Sequence, residues 1–145
     1  MNNDFESWEQ VNPALIDMFN HHLALIKQRL QARIELCPIV AFLDNGEIKS
    51  YIRDIKEPGD FPKMSEILKL VRGVKDSANI FAVLIAYTLK TDKGSFIAVD
   101  LEHKSGDCIR ILLPIVVTGI FRKKASIDTT DKFIVETLPK FVWTD

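Results

Sequence analysis

Glycine is scarce in this chain, with six in 145 residues, and none is arranged as GxGxxG or GxxxxGK. The sequence therefore encodes no backbone loop for cradling a phosphate. A GxSxG elbow is also missing, which removes the commonest setting for an exposed nucleophilic serine. The two cysteines, Cys37 and Cys108, have no CxxC partner. They are too few for a disulfide framework, and a reducing, cytoplasmic setting is expected. Neither sign of charge dominates: 19 Lys and Arg face 20 Asp and Glu, for a formal net charge of −1. Nucleic-acid affinity rests on many cations neutralising phosphates, so a nucleic-acid partner is not expected. The one basic run, Arg122-Lys123-Lys124, is read as a solvated strand or turn. Long apolar runs are missing as well. Ile80 to Leu89 and Ile111 to Val117 fall short of the roughly 20 residues that cross a bilayer as a helix. The opening residues Met1 to Glu6 have neither the basic region nor the apolar stretch of a secretory signal, so no export and no membrane contact are expected.

The composition, 47% hydrophobic and 27% charged, is that of an ordinary globular protein, and the length fits a single domain over residues 1–145. Residues 1–11 show no firm period and are read as an N-terminal arm whose Phe5 and Trp8 dock on the body. Asn12-Pro13 is a helix start, with a side-chain acceptor at the cap and a proline where no hydrogen bond is lost. Leu15, Phe19, Leu23, Ile26 and Leu30 recur at helical spacing, which predicts a helix to about Arg33 with one apolar stripe. Cys37 to Leu43 reads as a strand entering an Asn45-Gly46 hairpin, with Glu47 to Ile55 as the return strand. Asp60 is placed as the cap of a second helix that contains Pro62 in its first turn and ends near Asp76. Met64, Ile67, Leu68, Val71 and Val74 supply its buried face. Ala78 to Lys90, Ser95 to His103 and Cys108 to Thr118 form a meander, because their short connections demand antiparallel neighbours. Pro114 calls for an edge position or a bulge. Residues 120–145 form an irregular C-terminal extension. Within it, Ile120 to Ile127 reads as a further strand, Asp128 to Leu138 as a short helix or extended segment, and Pro139 to Trp143 as an aromatic closing strap. The fold class is thus α+β, in the order α-β-β-α-β-β-β, with two helices on a mostly antiparallel sheet of five or six strands.

The segment Ile97 to His103 carries the candidate chemistry. Strand alternation puts Ile97, Val99, Leu101 and His103 on one face and Asp100 with Glu102 on the other. A three-residue loop Ser105-Gly106-Asp107 sets Glu102 opposite Arg110 and Asp100 opposite Leu112. The functional expectation is a polar site in which the paired carboxylates do acid/base work or hold a cation, with Arg110 binding an anionic group. The simpler expectation is a solvated sheet face carrying a cross-strand ion pair. His103 is read as a half-buried structural histidine, because Cys108 points to the opposite face and makes a poor partner for it. His21 and His22 are read as an exposed helical pair: Asp17 and His21 are helical neighbours, but a third ligand is missing, so neither a metal nor a cofactor is expected.

The stretches Phe81 to Tyr87, Ala98 to Gly106 and Leu112 to Pro114 resemble a group of small bacterial proteins of unassigned function, over about Val40 to Pro114. The element order is similar to roadblock and profilin-like scaffolds, a resemblance that implies dimers and adaptor roles. The function expected is a small cytoplasmic binding or adaptor module without catalytic activity, self-associating as a homodimer or holding a protein partner. Two alternatives stand beside it. One is a small enzyme or ligand-binding protein using Asp100, Glu102 and Arg110 with His103 close by, which requires a concave pocket. The other is an immunity or regulatory partner of a basic protein.

Overall fold

The computed structural model describes residues 11–32, 36–51, 61–118, 124–127 and 134–144. Two helices, α1 (Pro13–Ala32) and α2 (Met64–Arg72), accompany seven strands. The strands are β1 (Ile39–Asp44), β2 (Glu47–Tyr51), β3 (Ile80–Thr91), β4 (Gly94–His103), β5 (Cys108–Thr118), β6 (Lys124–Ile127) and β7 (Ile134–Thr137). All pairings are antiparallel, and the described strands form one sheet in the order β2-β1-β3-β4-β5-β6. β7 lies beside β6 on the outer edge of β5, so the sheet is six strands wide. The fold is α+β, as the meander and the two amphipathic stripes require. Among the described residues no helix is long and apolar enough to cross a membrane. The arm (except Val11), the Asp60 cap, the end of the return strand beyond Tyr51 and residues 128–133 lie outside the described residues.

Each face of the sheet has its own core. On one, Leu15, Met18, Ile26 and Leu30 of α1 cover Ile39, Ala41, Leu84, Val99, Leu101, Ile109 and Ile111. On the other, Ile67 and Val71 of α2, with Phe141 and Val142, cover Val40, Phe42, Val83, Ile85 and Cys108. Alternation along each strand sorts the side chains between these cores. The face bearing Asp100 and Glu102 is therefore covered, not solvated, because α2 and the C-terminal strap lie over it.

Asn12 begins α1 by accepting the Ala14 N–H on its side chain at 3.0 Å. Its own N–H donates to Asp107 Oδ2 at 2.8 Å, which ties the helix start to the β4–β5 turn. α2 opens at Met64 with Lys63 before it, so Pro62 precedes the helix instead of sitting in its first turn. Lys63 is extended, with φ −73° and ψ 150°, which keeps Pro62 outside the helix. Asn45 and Gly46 take φ values of 52° and 83°, the left-handed pair expected of a type I′ hairpin. Pro114 is on neither an outer strand nor a bulge. It lies between the stretch of β5 paired to β7, which ends at Leu112, and the stretch paired to β6, which begins at Ile115. Among the described residues no outer strand pairs with β5 at that break, so no ladder bond there needs the missing N–H.

One helix residue departs from expectation. His21 is exposed, but His22 is fully buried, because it falls one turn from both Met18 and Ile26 and so shares the core stripe. Its Nδ1 lies 2.7 Å from the Met18 carbonyl, which can only accept, so Nδ1 carries the proton and Nε2 accepts from the Ser50 hydroxyl at 2.6 Å. Burial lowers the His22 pKa below its usual value, against the raising effect of the Met18 bond. The folded state thus favours neutral His22, so stability should be lost as pH falls below the unfolded value of about 6.5. Thermal melts between pH 7 and pH 5 should show a falling midpoint with a shallower slope in His22→Gln. An equal slope in both proteins would exclude His22 as a source of the effect.

Candidate functional site

The site is built on neighbouring strands. β3 places Tyr87, β4 places Asp100 and Glu102, and β5 places Cys108 and Arg110, all on the face beneath α2 and the strap. The observed register sets Asp100 opposite Arg110 and Glu102 opposite Cys108. The expected pairing of Glu102 with Arg110 is therefore displaced by two residues, although the shared face is kept. The cause is the turn. His103 N–H donates to Asp107 O at 2.8 Å, so the loop is Lys104-Ser105-Gly106. A three-residue hairpin loop places its left-handed residue last, and Gly106, at φ 146°, fills that position.

Asp100 and Arg110 form a two-pronged pair: Arg110 Nε donates to Oδ1 at 2.7 Å and Nη2 donates to Oδ2 at 3.1 Å. Tyr87 closes the triangle, donating to Asp100 Oδ2 and accepting from Arg110 Nη2, both at 2.8 Å. Fork geometry of this kind is the strongest way to hold a carboxylate. Burial raises the Tyr87 pKa, with help from the Asp100 charge, so the phenol stays protonated. The hydrogen bond to Asp100 raises that of Arg110, against the opposing effect of burial. Across the sheet from Arg110, on β7, stands Glu136. Tyr87 was not among the expected site residues. The tight Asp92-Lys93 turn that pairs Thr91 with Gly94 sets Ile85 opposite Asp100, which puts Tyr87 on the same face.

Glu102 has a different role. It is completely buried, and its carboxylate accepts three successive backbone N–H groups of the strap. Phe141 and Val142 donate to Oε1 at 2.6 and 2.8 Å, and Trp143 donates to Oε2 at 2.8 Å. From above, Arg72 Nε donates to Phe141 O and Lys75 Nζ to Thr144 O. The aromatic strap expected from the sequence is thus clasped between a buried carboxylate and the C-terminal end of α2. The Trp143 indole N–H is buried with no partner among the described residues.

The remaining candidates are quiet. Burial pushes the Cys108 thiol up to about 12, aided by the Glu102 and Asp100 charges. Its Sγ lies 3.5 Å from Pro139 O. His103 sits on the opposite face and accepts the Ser105 N–H on Nδ1 at 3.0 Å, holding the turn. Burial lowers its pKa; Lys140 adds to this and Asp107 opposes it. Of the four side chains the sequence singled out, Asp100 and Arg110 converge, Glu102 lies under the strap, and His103 stands apart. Among the described residues no three His, Cys, Asp or Glu side chains are placed to hold a metal ion.

Above the triangle is a pocket of about 180 Å³, with Tyr87, Asp100 and Arg110 in its lining and Met64, Leu68, Ile85, Leu138, Pro139 and Phe141 as apolar walls. No family model, curated protein or solved structure matches the chain, so function is read from this geometry.

Proposed function

We propose that the chain is a small, cytoplasmic binding module without catalytic activity that holds a compact ligand in the pocket above Tyr87, Asp100 and Arg110. The observation that carries this reading is the concave, mostly apolar pocket over a polar triangle whose members are engaged with one another. A general base needs an open lone pair within reach of substrate. Asp100 is paired with Arg110 and only 10% exposed at its side chain, and Glu102 is completely buried under the strap, so neither carboxylate is presented to a substrate. A thiol held near pH 12 is a poor nucleophile at neutral pH. Binding sites commonly combine such apolar walls with a few oriented polar groups. The test is amide chemical-shift mapping of the intact chain against a library of small molecules. Saturable shifts clustered at Ile85, Arg110 and Phe141 are expected, whereas hits confined to other surfaces would refute the pocket.

Self-association is a second reading, favoured by the edge of β2. Among the described residues β2 pairs only with β1. The hairpin closes on Asp44 and Glu47, so alternation turns the N–H and C=O groups of Ile48 and Ser50 outward. A second copy paired antiparallel about Ile48 sets Glu47 of each chain opposite Lys49 of the other, which makes the edge complementary to itself. Light scattering coupled to size exclusion should find a dimer at high micromolar concentration. Lys49→Glu should weaken it roughly tenfold by creating two like-charge pairs, and the exchange Glu47→Lys with Lys49→Glu should restore it. A monomer throughout would rule out this interface.

A further inference from the structure

Resting on the pocket reading above, the hydrogen-bond inventory points to a class of ligand. Tyr87 already donates once and accepts once, and Asp100 accepts three bonds, two on Oδ2 and one on Oδ1, which leaves one lone pair on a side chain only 10% exposed. Arg110 uses Nε and Nη2, while among the described residues its Nη1 has no partner, and its side chain is 25% exposed. The more accessible unused group in the polar lining is therefore the Arg110 donor, and its complement is an acceptor on the ligand. Charge narrows the choice further. The Arg110 cation is already compensated by Asp100 at 2.7 Å, and Glu136 stands across the strand from it. A bound anion would add another negative charge beside two carboxylates. Size then sets the body of the ligand, since a cavity of about 150 Å³ lined by apolar side chains accepts benzene. The pocket, at about 180 Å³, has room for one ring and a short substituent, with Phe141 and Tyr87 offering aromatic surface.

We propose that this pocket binds a neutral, ring-sized, mainly apolar molecule that presents a single carbonyl oxygen to the Arg110 guanidinium. Three probes separate the contributions: acetophenone, ethylbenzene, which keeps the ring and the two-carbon substituent without the acceptor, and benzoate, which carries a negative charge. Amide-shift titrations of the intact chain at pH 7 should give acetophenone about tenfold tighter than ethylbenzene, and benzoate no tighter than ethylbenzene. Arg110→Lys keeps a cation beside Asp100 but loses the fork. It should remove the acetophenone preference, so that acetophenone and ethylbenzene bind the variant alike. Equal affinity for acetophenone and ethylbenzene, tighter binding of benzoate, or a preference that survives Arg110→Lys would each overturn the ligand class and leave the pocket standing. Failure of all three probes to shift amides at Ile85, Arg110 or Phe141 would overturn the pocket reading itself.

Discussion

Glu102→Ala is expected to lower unfolding stability by about 3–5 kcal/mol, among the largest effects of any single change here. The wild-type carboxylate accepts N–H groups from Phe141, Val142 and Trp143, and the variant leaves them facing a cavity. Hydrogen bonds to a charged group contribute roughly 1.5–3 kcal/mol each, but three on one carboxylate do not add fully, because the strap can shift toward water. Glu102→Gln separates charge from shape. Its amide oxygen can still serve Phe141 and Val142, while its NH₂ would meet the Trp143 N–H donor head-on. A cost of about 2 kcal/mol is expected for it. Urea denaturation followed by circular dichroism measures the loss. Hydrogen exchange shows where it falls: in both variants the Phe141, Val142 and Trp143 amides should exchange far faster than those of β3 and β4. Unchanged protection of those amides would mean that Glu102 does not hold the strap.

Most of the architecture is legible in the sequence because it rests on short-range rules. Alternation sorts Asp100 and Glu102 from Val99 and Leu101, and Asn45-Gly46 fixes one hairpin. The boundaries of β4 and β5 follow from where apolar alternation stops at Lys104 and resumes at Cys108. The site is less legible because it depends on register. Placing Gly106 in the middle of the β4–β5 loop, instead of at its last position, moves the partner of Arg110 from Asp100 to Glu102. The left-handed requirement of that loop was the readable signal. His22 was hidden by its chemistry: a polar residue at a stripe position reads as surface, although position 22 continues the row formed by Leu15, Met18 and Ile26. The covering of the Asp100 face depends on contacts between residues far apart in the chain. Glu102 meets Phe141 across 39 positions, and no local pattern announces a contact at that separation. Strap and carboxylate were each visible alone, and only the fold joins them.

The Asp100–Arg110 pair yields the other large effect, and it is best measured as a cycle. Removing one partner from a buried ion pair leaves an uncompensated charge, at about 3–5 kcal/mol for full burial. Asp100 is 10% exposed at its side chain and Arg110 25%, so solvent softens the cost. Asp100→Ala is expected to lose about 2–4 kcal/mol, since it strands the guanidinium and deprives Tyr87 of its acceptor. Arg110→Met should lose somewhat less, because Tyr87 can still donate to Asp100. The double change Asp100→Leu with Arg110→Met removes both charges and refills the space with apolar atoms. It should be closer to wild type than Asp100→Ala, as buried pairs replaced by hydrophobic side chains often are. A coupling energy of about 1–3 kcal/mol from urea denaturation of the four proteins, with Asp100→Leu alone completing the cycle, is the expected result. Strict additivity would mean that the two side chains contribute independently. Tyr87→Phe adds a finer check: it deletes one donor to Asp100 and one acceptor from Arg110 while keeping the ring against the pocket, at an expected cost of about 1–2 kcal/mol. If the cycle shows strong coupling and Tyr87→Phe reduces it, the three side chains act as one closed polar unit. Such a unit fixes the guanidinium plane over the sheet and holds the Asp100 carboxylate between two donors.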